Sequence, residues 1–114
     1  MPYITTTTNV ALTEGKEDAL KARLGKAISL IPGKSESWLM VSFNPGTRMY
    51  FRGDSDEGIA FVNVSLFGGA SDRAYDALTA EITGILSDEL GISPDKIYIK
   101  YEECSHWGWN GGNF

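Results

Sequence analysis

The residue with the clearest chemical potential is Pro2, which follows Met1 at the start of the chain. If Met1 is removed, Pro2 becomes an N-terminal secondary amine, whereas every other proline nitrogen in the chain is a tertiary amide. A neutral amine is a general base, provided that its surroundings lower its pKa from the usual α-amino range of roughly 7.7–8.0. We therefore expect proton-transfer chemistry at Pro2 when Met1 is absent, and none when Met1 is retained.

The other residue types exclude several chemistries. Cys104 is the only cysteine, so an intrachain disulfide, a CxxC motif and a zinc cluster are excluded. Cys104 is expected to fill apolar space, and the single histidine, His106, is expected in an exposed loop. No metal-ligand, nucleotide-binding or Ser-His-Asp arrangement is visible, so the sequence predicts neither a metal nor a cofactor.

The composition indicates one globular domain over residues 1–114. The hydrophobic fraction is 42%, and 15 acidic residues against 10 basic ones give a net charge of −5. A protein of this charge is not expected to bind nucleic acid or an anionic membrane surface. No apolar run approaches the roughly 20 residues of a membrane span, and the polar N-terminus does not match a signal peptide. These features predict a cytoplasmic protein.

The elements that would position Pro2 follow from an internal repeat with a spacing of 58 residues, which divides the chain into halves of about 1–52 and 59–114. Thr13 and Ser71 are equivalent helix N-caps, and Gly33 and Gly91 are equivalent helix stops. Each half predicts a strand, a helix and a strand. The predicted strands are at about 3–8, 38–43, 59–66 and 96–101, with a short extra strand at 48–51. Two βαβ units with right-handed crossovers predict an α+β fold with a four-stranded sheet and both helices on one face.

Strand alternation leaves the other face of this sheet uncovered. Residues such as Val41, Val62 and Ile99 are expected to pack under the helices. The opposite face carries a mixture of apolar and polar side chains, namely Trp38, Met40, Ser42, Phe61, Asn63, Ser65, Tyr98 and Lys100. Because this mixture is too apolar to remain wet and too polar for a dry core, we expect other copies of the chain to cover it.

The chain carries, in this order, Pro2 after Met1, Gly33-Lys34, Leu66-Phe67-Gly68, the run 92–99 and the C-terminal run 108–114. Taken together, these segments resemble the macrophage migration inhibitory factor family of the tautomerase superfamily. The resemblance covers the whole chain and implies a homotrimer with helices outside and sheets around a central channel. It also implies a keto–enol tautomerase that acts on phenylpyruvate and its hydroxylated relative, which are small aromatic 2-oxo acids.

The resemblance implies a role for individual residues. Pro2 is the implied proton shuttle, and Lys34 and the Phe67 N–H are the implied ligands of the substrate carboxylate. Tyr98 is implied to reach in from a neighbouring subunit, and the implied aromatic walls are Trp38, Trp107, Trp109 and Phe114. Lys100 stands where the cytokine members carry asparagine, so we expect a second cation that favours anionic substrates and further lowers the Pro2 pKa.

Other interpretations stay open on the sequence alone. The chain could be a cytokine mimic that binds a host receptor, secreted without a signal peptide, with an incidental pocket. It could also be a tautomerase for a dopachrome. Lys34 could be an ordinary lysine near a helix end, Trp107 and Trp109 could fill a core or a subunit contact, Tyr98 could pack at an interface, and Lys100 could be a solvated channel lysine.

Overall fold

The computed structural model describes all 114 residues, Met1–Phe114. The elements occur in the order β1 (Pro2–Thr8), α1 (Glu14–Ala27), β2 (Met40–Asn44), β3 (Ala60–Phe67), α2 (Asp72–Leu90), β4 (Ile97–Cys104), β5 (Gly108–Trp109) and β6 (Gly112–Asn113). Short 3-10 turns lie at Ile28–Leu30, Glu36–Trp38 and Pro94–Lys96. Strands β1 to β4 form one sheet in the order β2-β1-β3-β4, and β5 and β6 form a separate hairpin.

Both helices begin at the caps that the sequence predicts. The Thr13 hydroxyl accepts a hydrogen bond from the Lys16 N–H, and the Ser71 hydroxyl accepts one from the Ala74 N–H. Each bond satisfies one of the free N–H groups in the first helical turn. Helix α2 ends at Gly91, whose φ of 67° lies in the left-handed region that glycine adopts without strain. Neither helix is long and apolar enough to span a membrane.

The sheet joins two βαβ units. Strand β1 is parallel to β2, and β3 is parallel to β4, so each parallel pair flanks one helix in sequence. The two units meet at the antiparallel pair of β1 and β3, where Pro2 lies opposite Leu66. This arrangement confirms the predicted α+β fold. It also places the N-terminus at the end of the sheet where β3 and β4 finish.

The hydrophobic core lies between the sheet and the two helices. Its fully buried members come from every layer and include Ile4, Val62, Leu20, Leu24, Leu78 and Ile82. Val41 and Ile99 pack against this cluster from the edge strands, as the alternation predicts. Burial of each large aliphatic side chain contributes roughly 1.5–3 kcal/mol, so the core fixes which face of every strand is turned inward.

The predicted start of the second strand is wrong for Trp38. This residue lies in the 3-10 turn Glu36–Trp38, and β2 begins at Met40. The Trp38 N–H donates to the Ser35 carbonyl at 3.2 Å. This N–H is therefore bonded within the turn and does not pair with β1.

The predicted extra strand at 48–51 is also wrong. The only β contact of this segment is an isolated bridge between Phe51 and Asp54. Arg52 and Gly53 lie between these residues with φ values of 54° and 77°. Two successive left-handed residues make a tight local turn, which returns the chain on itself instead of extending it along the sheet.

The sheet face opposite the helices is open in a single chain. Met40 is 68% exposed and Tyr98 is 59% exposed on this face. Both side chains are large and apolar in part, so their exposure marks a surface suited to contact with another protein chain.

Candidate active site

The N-terminus lies in a cleft of about 640 Å³. It is lined by residues 1–3 at the start of β1, by residues 37–40 and by residues 107–109. Pro2 is buried, whereas Met1 and Tyr3 are half-buried. The cleft therefore surrounds the residue that would carry the amine after loss of Met1.

Lys34 lies beside the N-terminal amine. The chain turns at Gly33, whose φ is 83°, and Lys34 then extends toward the end of β3. Its Nζ donates a hydrogen bond to the Phe67 carbonyl at 2.9 Å. Burial, with a smaller contribution from Lys34, lowers the pKa of the Met1 α-amine from 8.0 to about 6. The surroundings of the N-terminal amine thus favour its neutral form at pH 7.

The backbone N–H of Phe67 points at the same place. It donates to the Met1 carbonyl oxygen at 3.0 Å. Phe67 ends β3, directly after the Pro2–Leu66 pair, so the antiparallel register brings this N–H to the N-terminus. The fold therefore brings together Lys34 and the Phe67 N–H, which are distant in sequence. While Met1 is present, its carbonyl oxygen is the acceptor of the Phe67 N–H.

The predicted aromatic residues form one connected wall. Trp38 packs edge-to-face on Trp109, with ring centroids 4.8 Å apart. Trp109 stacks on Phe114 at 6.1 Å, and Phe114 contacts Phe67 at 5.8 Å. The wall therefore runs from the turn before β2 to the end of β3, and Trp107 lines the cleft beside it.

A C-terminal hairpin positions this wall, and the sequence analysis did not identify it. Strands β5 and β6 are joined by Asn110 and Gly111, with φ values of 52° and 82°. Two left-handed residues of type Asn-Gly are the strongest short signal for a two-residue hairpin, so this element was available in the sequence. The Phe114 N–H donates to the Trp107 carbonyl at 3.1 Å and closes the end of the chain over the hairpin.

Two predicted site residues lie away from Pro2 within the chain. The strand register aligns Pro2 with Leu66, and Leu66 with Glu103. Tyr98 is five residues from Glu103 along β4, and Lys100 is three residues from it, which corresponds to roughly 16 Å and 10 Å. Neither side chain lines the cleft of its own chain.

Lys100 is not a free cation. Its Nζ forms an ion pair with the Glu102 carboxylate at 2.9 Å, because alternate residues of a strand share a face. Glu102 also accepts a hydrogen bond from Asn63 Nδ2 at 3.1 Å. The bonds from Lys100 and Asn63 lower the pKa of Glu102. Lys100 therefore has an acidic partner within its own strand, and Glu102 is a residue that the sequence reasoning missed.

Comparisons with known proteins give a consistent family. The sequence model of the macrophage migration inhibitory factor (MIF) family matches residues 1–114. The macrophage migration inhibitory factor of Meriones unguiculatus is 34% identical over 118 residues, with 100% of this chain and 99% of the relative covered. The crystal structure of Leishmania major MIF2 has a TM-score of 0.92 at 32% identity and covers 100% of this chain and 97% of that chain. The macrophage migration inhibitory factor of Toxoplasma gondii has a TM-score of 0.89 at 28% identity, with 98% and 99% covered. This chain therefore belongs to the macrophage migration inhibitory factor family and has the tautomerase-superfamily fold.

Proposed function

We propose that this chain, once Met1 is removed, is a keto–enol tautomerase for phenylpyruvate-type 2-oxo acids, with Pro2 as its general base. The observation that carries the proposal is the environment of the N-terminal amine, whose pKa is lowered to about 6 by burial and by Lys34. Removal of Met1 moves the amine along the chain by one residue, roughly 3.8 Å, to a residue that is itself buried. Both causes favour the neutral amine at Pro2 as well.

A neutral Pro2 nitrogen has a simple task in this reaction. It removes a proton from the carbon next to the ketone, and the electron pair of that C–H bond forms the carbon–carbon double bond of an enolate. The protonated proline then delivers the proton to the enolate oxygen, which gives the enol, and the reverse sequence restores the ketone. No other reactant is consumed, so a single base with a suitable pKa is sufficient.

Loss of Met1 has a second consequence, at the end of β3. The Phe67 N–H, which donates to the Met1 carbonyl at 3.0 Å, becomes free. In this proposal a carboxylate oxygen of the substrate takes the place of that carbonyl oxygen, and Lys34 Nζ pairs with the same carboxylate. The aromatic tail of the substrate then lies against Trp38 and Trp109, since flat rings pack well on aromatic walls.

We also propose a homotrimer in which Tyr98 and Lys100 serve the cleft of a neighbouring copy. These residues lie on the open sheet face, where Met40 is 68% exposed and Tyr98 is 59% exposed. Their separation from Pro2 along the strands, roughly 16 Å and 10 Å, makes a contribution to the cleft of the same chain implausible. Contact between copies would cover the exposed apolar groups and complete the site.

The test is a comparison of three forms of the protein, each defined by intact mass. Met1-trimmed wild type is expected to tautomerise phenylpyruvate, whereas protein that retains Met1 is expected to be inactive because Pro2 is then an amide. Trimmed Pro2→Gly keeps a free primary amine, which is a weaker base than the proline amine, and is expected to reduce kcat/KM sharply, by at most the roughly 10²- to 10⁴-fold that a general base contributes. Equal turnover in trimmed wild type and Pro2→Gly would refute the assignment of Pro2, and turnover of a dopachrome without turnover of phenylpyruvate would favour the alternative substrate.

A further inference from the structure

The turn that follows β3 begins with the backbone groups that contact Met1 and Lys34. The Phe67 N–H donates to the Met1 carbonyl, and the Phe67 carbonyl accepts from Lys34. Gly68 comes next with a φ of 80°, and Gly69 follows it. The Phe67–Gly68 peptide is held on β4 by the bond from the Gly68 N–H to the Cys104 carbonyl, whereas the glycine that follows permits many backbone conformations, so bonds from outside the turn restrict how the chain continues through Gly69 and Ala70.

Tyr75 of α2 supplies one of these bonds. Its hydroxyl accepts a hydrogen bond from the Ala70 N–H at 3.0 Å and donates one to Glu103 Oε2 at 2.6 Å. Burial, followed by the contact with Glu103, raises the pKa of Tyr75 to about 12. The hydroxyl therefore remains protonated at neutral pH and continues to donate to Glu103.

Glu103 supplies the second part of the support. Its carboxylate lies directly over Gly69, where a β-carbon would overlap with the carboxylate oxygens. The position of Glu103 is fixed by its pairing with Leu66 in the β3–β4 ladder. Its neighbour Cys104 accepts the Gly68 N–H at 2.9 Å. The end of β4 and the first turns of α2 therefore hold the turn 67–70 from two sides.

We propose that Tyr75 and Glu103 are positioning residues for recognition of the substrate carboxylate. They act through the turn 67–70, because they hold Gly69 and Ala70, which directly follow the Phe67–Gly68 peptide whose carbonyl accepts from Lys34. Neither residue lines the cleft itself. The inference rests on the proposed function in one respect, namely that the anion bound at Phe67 is the carboxylate of the substrate.

Tyr75→Phe is the main test, because it removes the hydroxyl and keeps the ring that packs on Tyr101 at 4.5 Å. The matched control is Tyr101→Phe. The Tyr101 hydroxyl is also hydrogen-bonded, to Thr79 at 2.8 Å and to the Tyr75 carbonyl at 3.1 Å, but it makes no bond to the turn. Both variants lose one partly buried hydroxyl, so a general loss of stability would affect them alike.

The probe is 3-phenylpropanoate, a carboxylate that lacks the reacting ketone, and its methyl ester is the uncharged control. Binding to Met1-trimmed protein is followed by the NMR shift of the Phe67 amide. Tyr75→Phe is expected to weaken binding of the acid about 5- to 20-fold, because the Ala70 N–H loses its partner and the turn loosens. Binding of the ester is expected to change less than about twofold, and faster amide exchange is expected at Gly68 and Ala70.

Two further variants test the inference independently of Tyr75→Phe. Glu103→Gln retains an acceptor for the Tyr75 hydroxyl, so it is expected to bind the acid within about threefold of wild type. Gly69→Ala adds a methyl group where the Glu103 carboxylate lies, so it is expected to displace that side chain and weaken acid binding as Tyr75→Phe does.

The results separate this inference from the proposed function. Acid binding within twofold of wild type in Tyr75→Phe would overturn the inference, as would an equal loss in Tyr101→Phe or no binding of the acid by wild type. Selective loss in Tyr75→Phe supports it even when phenylpyruvate is not turned over, and that combination would reject the tautomerase proposal alone.

Discussion

The most informative perturbation of the site is Lys34→Ala, because Lys34 has two separable effects. As a cation beside the amine it disfavours the protonated form, so its removal raises the apparent pKa of Pro2 and shifts the acid limb of the kcat/KM profile to higher pH. As a partner of the carboxylate it strengthens substrate binding at every pH. The first effect changes the shape of the profile, and the second changes its height.

The structure bounds the size of the first effect. Burial is the largest of the three causes that lower the pKa of the Met1 amine from 8.0 to about 6, and Lys34 supplies the two smaller ones. Because the burial remains in Lys34→Ala, we expect the pKa of Pro2 to rise by only part of that difference. For the second effect, a hydrogen bond to a charged group contributes about 1.5–3 kcal/mol, which corresponds to a rise in KM of roughly 10- to 150-fold.

The assay is kcat/KM for phenylpyruvate between pH 5 and 9 with Met1-trimmed protein at low ionic strength, since salt screens the field of an exposed charge. Lys26→Ala is the matched control, because Lys26 lies in the last turn of α1 and its removal changes the net charge equally. Profiles of wild type and Lys34→Ala that superimpose after scaling would refute the electrostatic part of the reasoning. An equal change in Lys26→Ala would refute the local origin of the effect.

Three further results are expected. Light scattering at micromolar concentration should give the mass of a trimer, and a stable monomer would contradict coverage of the open sheet face. Trp109→Ala should raise KM for phenylpyruvate roughly 2- to 10-fold while leaving a short aliphatic 2-oxo acid nearly unchanged, because only the aromatic tail loses its wall; an equal effect on both substrates would assign Trp109 to the fold. Lys100→Asn leaves Glu102 unpaired and should raise the apparent pKa in the kcat/KM profile, whereas Glu102→Gln leaves Lys100 unpaired and should lower it; unchanged profiles in both variants would exclude the pair from the cleft.

The repeated halves and the core were predictable because they depend on local signals. A hydroxyl cap such as Thr13 starts a helix by a bond to a residue three positions ahead, and Gly91 ends one because it alone reaches the left-handed region without strain. The alternation of apolar side chains along β3 shows which face of this strand is buried, and it does so within one short segment. These signals act over distances of a few residues, so no knowledge of the tertiary structure is required.

The wrong and missed features depend on contacts that local patterns do not encode. The alternation of side chains predicts a strand at Trp38. Its N–H instead donates to the Ser35 carbonyl, and its ring packs on Trp109, which is far along the chain. Glu102 is an exception, because it lies two residues from Lys100 on the same strand and could have been placed beside it from alternation alone. The link from Tyr75 to Glu103 spans 28 residues, and it exists only because α2 packs beside the end of β4.

The geometry of the candidate site is held by the core rather than by the site residues themselves. Ile4 lies opposite Val64 in the β1–β3 pair, and both are fully buried. A slip of one residue in this pairing would turn the inward face of β1 outward and expose Ile4, at a cost of roughly 1.5–3 kcal/mol for that side chain alone. The same register places Pro2 opposite Leu66, and it directs the Phe67 N–H to the carbonyl oxygen of Met1, the residue before Pro2. The distance between the proposed base and the proposed anion donor is therefore fixed by apolar burial two residues away, which leaves the polar residues of the cleft free to vary without displacing the base.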